Sequence, residues 1–392
     1  MKKKKMNFEQ KRNLIFMSVC FFIILIGMCS LVRNQKVASA TENRNLTFFP
    51  HFTLKTFLSS EFQSTFDSAL ADQFVFGETV KKNMNTITDF VDYTKISPEI
   101  CKNRYVKVNK DFSIYNCDSR MVYSPAIYDE LQDKKFEKDI NKLTKTVQKY
   151  APIYYYILND SNNFNFSSNE QIYDFSKYLD GVPHTQLHFN TYNDYKKYFY
   201  KTDHHWNYYG SYEGYKAIIN MLFDGKEEPL KPEKLVDFNV EFRGSMSRDT
   251  QIYNFKDDFK GYKFNFDDHN EYLDKKIDIY GGQENYFDGK IENDLLTGHY
   301  GKFYGDDRGE IIFDYYDNKD RENLLIMATS YSNPINNLIA SHFHKTYVVD
   351  LRHYENANGE KFNYKEYIRE NNIDKVLIIG NYTYFADEDL GI

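Results

Sequence analysis

Residues 324–328 have the sequence LLIMA, a short apolar run that predicts a fully buried β-strand. Further segments follow in alternation: we predict helices over 333–341 and 364–371, and strands over 346–351 and 375–380. Strands without a polar face that alternate with helices are typical of a parallel sheet covered on both faces. The C-terminal part of the chain therefore predicts an α/β fold.

The first half of the chain shows the same alternation. We predict helices over 129–149, 170–179, 193–200 and 211–223, and strands over 152–158 and 185–189. Residues from about 232 to 320 interrupt it, because they are rich in Asp, Tyr, Gly and Phe and contain only short alternating runs. We interpret them as a β-rich insertion whose long loops shape a substrate cleft. Its acidic clusters lack the spacing of a calcium-binding EF-hand loop.

Residues 203–206, Asp-His-His-Trp, carry the strongest chemical signal and contain the only tryptophan of the chain. A general base needs a histidine whose tautomer is fixed by a carboxylate. Asp203 can reach the histidine two residues later if their loop leads into a helix. A metal-binding loop and a structural cluster are the alternatives. We favour an acid–base role, because the full tetrad seldom arises by chance.

Ser330 follows the strand at 324–328, where the chain turns towards a helix. In doubly wound sheets the carboxyl ends of the strands form the ligand crevice. A serine there exposes its hydroxyl close to a helix N-terminus, which can stabilise an oxyanion. The Gly-x-Ser-x-Gly elbow is absent from this sequence. An ordinary N-cap serine is the competing interpretation.

Together, the tetrad and the Ser330 block resemble the bacterial DHHW family, which is similar to the SGNH-hydrolase-like proteins that O-acetylate alginate and other surface polysaccharides. The resemblance covers about residues 45–392. It implies an SGNH-hydrolase-like, flavodoxin-like parallel sheet with helices on both faces. It also implies that Ser330 is the nucleophile, His205 the general base and Asp203 the carboxylate that orients it.

Four residues beside these three are predicted to contact the substrate: Tyr331, Asn333, Trp206 and His204. The resemblance leaves two candidates for the oxyanion donor. Asn159, at a predicted strand end, is one candidate. Asn333 is the other, since its side chain can either donate to the site or cap the following helix.

Two positions depart from the family pattern, because Ala328 stands where glycine is usual and Thr329 where aspartate is commoner. A β-carbon at position 328 can crowd the turn before the serine. The departure favours a second hypothesis, a catalytically degenerate SGNH-like envelope protein that binds glycan. A third hypothesis is a metal-dependent hydrolase that uses residues 203–205. We rank it last, because metal sites take ligands from more than one segment.

The first hypothesis is extracytoplasmic, serine-dependent transfer or hydrolysis of an acetyl ester on a cell-envelope polysaccharide. The resemblance implies a membrane-bound acyltransferase partner that delivers the acyl donor. We expect no metal and no cofactor. A net charge of −7 gives no basic field for nucleic acid.

The N-terminus predicts a membrane anchor. Residues 14–32 are uncharged and apolar, and a lysine-rich segment precedes them. We therefore predict a single-pass protein with its C-terminal domain outside. Cleavage near Ala40, with secretion, is the alternative. The predicted segments are a cytoplasmic tail at 1–12, a transmembrane anchor at 13–32, a linker at 33–48 and an extracytoplasmic domain at 49–392.

Of the four cysteines, Cys20 and Cys29 lie in the apolar run. Cys101 and Cys117 flank residues 105–115, whose alternation predicts a β-hairpin. Such a hairpin brings the two thiols together. We therefore predict a Cys101–Cys117 disulfide in an oxidising exterior.

Overall fold

An eight-stranded sheet organises the fold. The computed structural model describes residues 8–32, 35–39, 44–74, 105–107, 113–117, 120–123, 130–165, 170–171, 174–250, 252–387 and 390–391. The chain forms two compact units, Met1–Thr94 with Arg248–Gln251, and Lys95–Ser247 with Ile252–Ile392. The sheet belongs to the second unit.

The strands of this sheet run partly parallel and partly antiparallel. In spatial order they are Lys276–Ile277, Asn270–Leu273, Glu310–Asp314, Lys345–Val349, Leu324–Met327, Lys375–Gly380, Ile153–Ile157 and His184–Gln186. The last five are parallel to one another, whereas the first three pair antiparallel at one edge. The predicted parallel sheet is confirmed for five strands, but the sheet as a whole is mixed.

The strand Leu324–Met327 lies inside the parallel part and is buried on both faces. Its alternate side chains belong to two separate hydrophobic cores, as the two-residue period of a strand requires. One core includes side chains of the helices Tyr208–Leu222 and Asn336–Ala340. The other includes side chains of Glu130–Val147 and Tyr364–Glu370. The predicted coverage of the sheet by helices on both faces is therefore confirmed.

Most helices predicted outside the insertion are present with shifted ends. The helix predicted at 170–179 is wrong. A two-residue strand Glu170–Gln171 and a 3-10 turn Phe175–Tyr178 occupy that segment, because the Asp174 carboxylate accepts a hydrogen bond from the Ser176 amide and starts a separate turn. The remaining helices of the second unit include Tyr192–Tyr198, Leu351–Asn358 and Tyr382–Asp387.

The insertion is more ordered than its sequence suggests. It begins with a ribbon in which Lys234–Phe242 pairs antiparallel with Asp257–Lys263. The short helices Gln283–Phe287 and His299–Tyr304 pack with this ribbon in a separate aromatic core. Three strands of the insertion then join the main sheet. The insertion is therefore an integral part of the fold. Its apolar side chains are buried in its own aromatic core or against the main sheet.

In the first unit, a helix spans Phe8–Val32. Within the described part of the chain, however, no helix has the length and apolar character required to cross a membrane. The transmembrane anchor predicted at 13–32 therefore receives no support. The predicted linker contains a small antiparallel pair, Ala38–Ser39 with Arg44–Asn45.

The aromatic segment that follows forms two helices, Leu54–Leu58 and Glu61–Gln73. They are separated at Ser60, which has a positive φ of 64°. Their phenylalanines contact one another, but Phe57 is 44% exposed. This cluster of rings is therefore partly open to solvent.

The predicted hairpin is confirmed for the strands that the structure describes. Tyr105–Lys107 pairs antiparallel with Ser113–Cys117, and Arg120–Tyr123 adds a third strand. Cys101 lies outside the described residues. The predicted disulfide with Cys117 therefore stays a prediction.

Candidate active site

Three predicted residues meet at the carboxyl end of the strand Leu324–Met327. The His205 Nδ1 atom is 2.6 Å from Asp203 Oδ1, and the His205 Nε2 atom is 2.8 Å from Ser330 Oγ. Because Nδ1–H donates to the carboxylate, Nε2 is left to accept the hydroxyl proton of Ser330. His205 therefore lies between the other two residues, with the geometry of a nucleophile, base and orienting acid.

The loop that carries the pair is built by local hydrogen bonds. Asp203 Oδ1 also accepts a bond from the His205 backbone N–H, at 2.9 Å, which closes a turn of two residues. Asn207 then caps the helix Tyr208–Leu222 by accepting from the amides of Tyr209 and Gly210. The sequence therefore folds Asp203 back onto His205 just before a helix begins.

The insertion supplies the second support of Asp203. The Ser245 backbone N–H donates to Asp203 Oδ2 at 2.7 Å. The neighbouring residue must be glycine, because a β-carbon on Gly244 would lie 2.2 Å from the Asp203 β-carbon and 2.3 Å from its Oδ2 atom. Asp257 also supports this loop, because its carboxylate accepts hydrogen bonds from the Lys201 and Thr202 backbone N–H groups.

Asp203 is buried but remains ionised. Burial by itself would raise the pKa of this carboxyl. The charge of His205, its hydrogen bonds and the charge of His204 together outweigh burial, and the pKa is lowered well below its usual range. A carboxylate that stays charged keeps the proton on His205 Nδ1 and leaves Nε2 free to accept.

The imidazole of His205 is held between two other rings. Tyr300 stacks on it with a centroid distance of 3.9 Å and an interplanar angle of 12°. His204 packs near it at 3.9 Å and 35°. The Tyr300 hydroxyl also donates to the carbonyl oxygen of Ser330, at 2.8 Å. Tyr300 thus contacts both the base and the backbone of the candidate nucleophile.

Ser330 opens a short 3-10 turn, Ser330–Ser332. Its backbone N–H makes no hydrogen bond within the described part of the chain. Ala328, the residue that departs from the family pattern, is buried and donates its N–H to the Val349 carbonyl. The strand geometry is therefore maintained up to the turn, and the β-carbon of Ala328 does not prevent contact between Ser330 and His205.

The four predicted substrate contacts are placed differently. Trp206 is 0% exposed and donates its indole N–H to the Tyr331 carbonyl, so it braces the two segments internally. Tyr331 is also buried, and its hydroxyl contacts Asp160 and the His204 carbonyl. These two side chains therefore do not line an open surface, because the core encloses them.

The other two predicted contacts are half-buried and already engaged. His204 Nδ1 is 2.6 Å from Ser245 Oγ, and the Asn333 amide donates to the Gly305 carbonyl at 3.0 Å. Asn333 therefore does not cap the following helix. The Asn159 amide donates to Gln186 and Leu187, so it serves the sheet edge rather than the vicinity of Ser330.

Sequence reasoning missed Gly244, Ser245, Asp257 and Tyr300. None of them belongs to a recognisable motif, and they lie 30 to 86 positions from Ser330 along the chain. Gly244 is one of several glycines in the insertion, so its residue type gave no signal either. Their roles arise from packing of the insertion against the tetrad loop.

Two groups of side chains have the spacing of metal ligands among the described residues: Asp203 with His204 and His205, and Asp307 with Asp350 and His353. In the first group, His204 Nδ1 and both ring nitrogens of His205 already make hydrogen bonds. A metal ion at any of these nitrogens would have to replace its hydrogen bond. In the second group, the Arg352 guanidinium already neutralises both carboxylates.

Solved structures share this architecture. PatB1 of Bacillus cereus superposes with a TM-score of 0.54 at 19% sequence identity, covering 72% of this chain and 99% of PatB1. PatB1 has also been solved with a sulfonyl adduct. A DHHW family protein from Eubacterium siraeum superposes with a TM-score of 0.53 at 17% identity, covering 72% of this chain and 94% of its own.

The chain has the fold of a DHHW family protein. The resemblance inferred from the tetrad is therefore confirmed at the level of the fold. The O-acetyltransferase domain of Pseudomonas putida AlgJ gives a TM-score of 0.34 at 9% identity, over 73% of this chain and 94% of that domain. Comparison with models of protein families found no match, and no curated protein sequence matched either.

Proposed function

We propose that this protein transfers an acetyl group to, or removes it from, a hydroxyl of a cell-envelope polysaccharide through an acyl-serine. One observation carries the proposal: the continuous chain of short hydrogen bonds from Asp203 through His205 to Ser330, at 2.6 and 2.8 Å. A serine hydroxyl is a weak nucleophile unless a base lies within hydrogen-bond reach. The spacing here meets that requirement before any substrate binds.

In the first half of the reaction, Ser330 Oγ attacks the acetyl carbonyl carbon of the donor ester. Its proton passes to His205 Nε2 as the new C–O bond forms. The tetrahedral intermediate then collapses, the bond to the donor oxygen breaks, and the imidazolium returns the proton to that leaving oxygen. The products of this half-reaction are the acetyl-serine and the free donor alcohol.

In the second half, a sugar hydroxyl or a water molecule attacks the acetyl-serine. His205 Nε2 takes the proton of the attacking hydroxyl, and Ser330 Oγ recovers a proton as it leaves. Attack by a sugar hydroxyl yields an O-acetylated glycan, whereas attack by water yields acetate. The two outcomes share every residue of the first half, so the competition between acceptor and water decides between transferase and esterase.

The negative oxygen of each tetrahedral intermediate requires donors. The backbone N–H of Ser330, which opens the turn and is uncommitted, is our candidate for one of them. Tyr300 holds the carbonyl oxygen of the same residue, and this contact fixes the orientation of the turn. Asn159 and Asn333 do not serve as donors in this proposal, because both amides are bonded elsewhere.

The fold comparison supports the chemistry indirectly. PatB1 has been solved with a sulfonyl adduct, and activated serine hydroxyls as a class attack the sulfur of sulfonyl fluorides and displace fluoride. We propose that Ser330 reacts in the same way. The extracytoplasmic location and a membrane-bound donor enzyme also remain part of the proposal, and they rest on the lysine-rich N-terminus and on the family resemblance.

The test uses the full-length protein, a sulfonyl fluoride and a chromogenic acetyl ester. We expect mass spectrometry to locate one sulfonyl group on Ser330 and acetate to be released from the ester. Ser330→Ala removes both signals. Ser332→Ala is the matched control, because Ser332 lies in the same turn but its hydroxyl faces the Thr329 carbonyl. Unchanged ester cleavage by Ser330→Ala would reject the mechanism and favour the glycan-binding alternative.

A further inference from the structure

A pocket of about 180 Å³ is lined by residues that neighbour the candidate active site in the sequence, and no step of the reaction above uses it. We call it the aromatic pocket, since partly exposed rings form one wall: Tyr208, Tyr212, Tyr262, Phe264 and Phe266. The rest of the lining comes from the main sheet edge, the segment 279–284, the segment after Ser330, and the residues Ser211 and Tyr304. All of these residues belong to the second compact unit of the chain.

Three of the residues that line the aromatic pocket lie within four positions of residues of the candidate active site. The helix that contributes Tyr208 starts three positions after His205. Asn333 follows Ser330 by three positions. Tyr304 lies one helical turn from Tyr300, which stacks on His205. A molecule in the pocket would therefore contact side chains that lie three or four positions from His205, Ser330 and Tyr300.

The rings of this wall form a continuous row. Tyr262 contacts Tyr208 at a centroid distance of 5.2 Å and Tyr212 at 5.3 Å. Phe264 contacts Tyr212 at 5.8 Å and Phe266 at 6.1 Å. Flat rings whose faces or edges reach a pocket offer a surface for the C–H groups of a pyranose ring. Such a row suits consecutive units of a chain rather than a single small molecule.

Polar groups suited to hydroxyls accompany the rings. Within the described residues, the hydroxyls of Tyr208 and Tyr262 and the side chains of Gln283 and Glu284 have no hydrogen-bond partner in the protein. Carboxylate and amide oxygens accept from sugar hydroxyls, and phenolic O–H groups can donate or accept. The wall therefore combines apolar faces with free polar groups.

The charge of the pocket selects the class of sugar. Two carboxylates, Glu271 and Glu284, line it, and no lysine or arginine does. The only lining group that can be cationic, His269, is 3.1 Å from Glu271, so any charge on it is neutralised locally. Lys216 lies over the Tyr212 ring outside the lining and is paired with Glu213. An anionic sugar would be repelled here.

We propose that the aromatic pocket binds an uncharged pyranose unit of the acceptor glycan, and that it discriminates against uronate- or phosphate-bearing polymers. The assignment rests on the proposed function, because an acceptor subsite has meaning only beside an acyl-serine. It narrows that function, since it separates neutral sugar chains from the acidic chains that the alginate resemblance suggests.

The test measures binding separately from turnover, in full-length protein that carries Ser330→Ala. Calorimetric titration compares uncharged hexamers of glucose and of N-acetylglucosamine with a hexamer of galacturonate. We expect a preference of about tenfold or more for at least one uncharged hexamer. Equal or tighter binding of the galacturonate hexamer, or no binding of either neutral hexamer, overturns the assignment.

Variants place the binding in the pocket. Added to this background, Tyr262→Ala should weaken binding of the neutral hexamer about tenfold, and Tyr262→Phe should retain most of it, because the ring remains. Tyr316→Ala, at an exposed tyrosine outside the pocket, is the matched control. Glu284→Lys changes only an exposed charge and should reduce the preference over galacturonate about threefold. Equal effects of Tyr262→Ala and Tyr316→Ala would contradict the assignment.

The ester assay on unmodified protein distinguishes the two proposals. If acetate is released but the neutral hexamers do not bind, the pocket assignment is wrong and the reaction stands. If no ester is cleaved while the hexamers bind and Tyr262→Ala weakens them, the pocket is a glycan site on a protein that does not perform the reaction.

Discussion

The strand end at 324–330 and the insertion at 232–320 meet at one imidazole, but they hold it by different means. The strand presents Ser330 through burial on both faces, which needs only apolar side chains. The insertion holds Asp203 and His205 through single close contacts from Gly244, Ser245 and Tyr300. The candidate nucleophile thus comes from a regular part of the molecule, whereas the contacts that orient the candidate base come from an irregular part.

The largest effect is expected at Asp203, which the insertion holds and which itself contacts His205. Asp203→Asn keeps the size of the side chain but replaces a charged acceptor with an amide that can force the wrong imidazole tautomer. We expect a loss of about 10⁴ in kcat for ester cleavage. Asp237→Asn, on the exposed ribbon, is the control. A loss below about tenfold would mean that Asp203 does not orient His205.

The pH dependence of Asp203 can be checked in the same protein. Since its folded pKa is lowered, its contribution to stability is complete above its ordinary pKa of 3.8 and is lost as pH falls below that value. Asp203→Asn should therefore be less stable than the unmodified protein at neutral pH, and the difference should shrink in strong acid. Thermal unfolding across acid pH measures it.

The next effect tests the insertion alone. Gly244→Ala places a β-carbon against Asp203, which must move, and a shift of about 1 Å in a catalytic group costs about 10²-fold in rate. Ser245→Ala is the matched variant, because it retains the backbone N–H to Asp203 and loses only the hydroxyl contact with His204. We expect Ser245→Ala to remain within about fivefold of the unmodified rate. Equal rates for both variants would show that the insertion does not orient the site.

A smaller effect is expected at the stacked ring. Tyr300→Leu removes both the stack on His205 and the bond to the Ser330 carbonyl, and it should lower kcat/KM about tenfold. Tyr300→Phe retains the ring and should lose about threefold. Circular dichroism melts confirm that both variants fold. If Tyr300→Phe is as slow as Tyr300→Leu, the hydroxyl rather than the ring is what positions the site.

The smallest effect concerns the stability of the insertion. Burial, and then the charge of Lys302, lower the pKa of His299 to about 4 from an ordinary 6.5. Between pH 6.5 and pH 4, the unfolded chain therefore binds a proton at this histidine, whereas the folded chain does not. The free energy of unfolding falls as the pH falls through this range. We expect a shallower fall of Tm in His299→Phe. His188→Phe, at an exposed histidine, should keep the original slope.

The sequence predicted the site best where the contact is local. Asp203 and His205 are two positions apart, so a turn closed by one backbone hydrogen bond is sufficient to join them. Ser330 was predictable because a buried strand has a recognisable apolar run and its end is where crevices form. The burial of Trp206 was not predicted. Its place in the tetrad suggested contact with substrate, whereas the core encloses its side chain.

The fold was predicted where burial imposes a period. The parallel strands and most helices outside the insertion follow from apolar runs and helical spacing. The antiparallel strands Asn270–Leu273 and Glu310–Asp314 were not predicted from such patterns, because strands near a sheet edge need not be continuously apolar. The short helices Gln283–Phe287 and His299–Tyr304 were missed as well, since a helix of five or six residues shows too little of its period.

By itself, the sequence determined the α/β core, the Asp203–His205 pair and the strand that ends at Ser330, because each depends on neighbours within a few residues or on a periodic pattern. The tertiary structure alone decided that Gly244 makes room for Asp203, that Tyr300 stacks on His205 and that aromatic rings and two carboxylates line one pocket. The first two contacts join segments 41 and 95 residues apart. Their specificity lies in shape and distance, which no local pattern of residue types encodes.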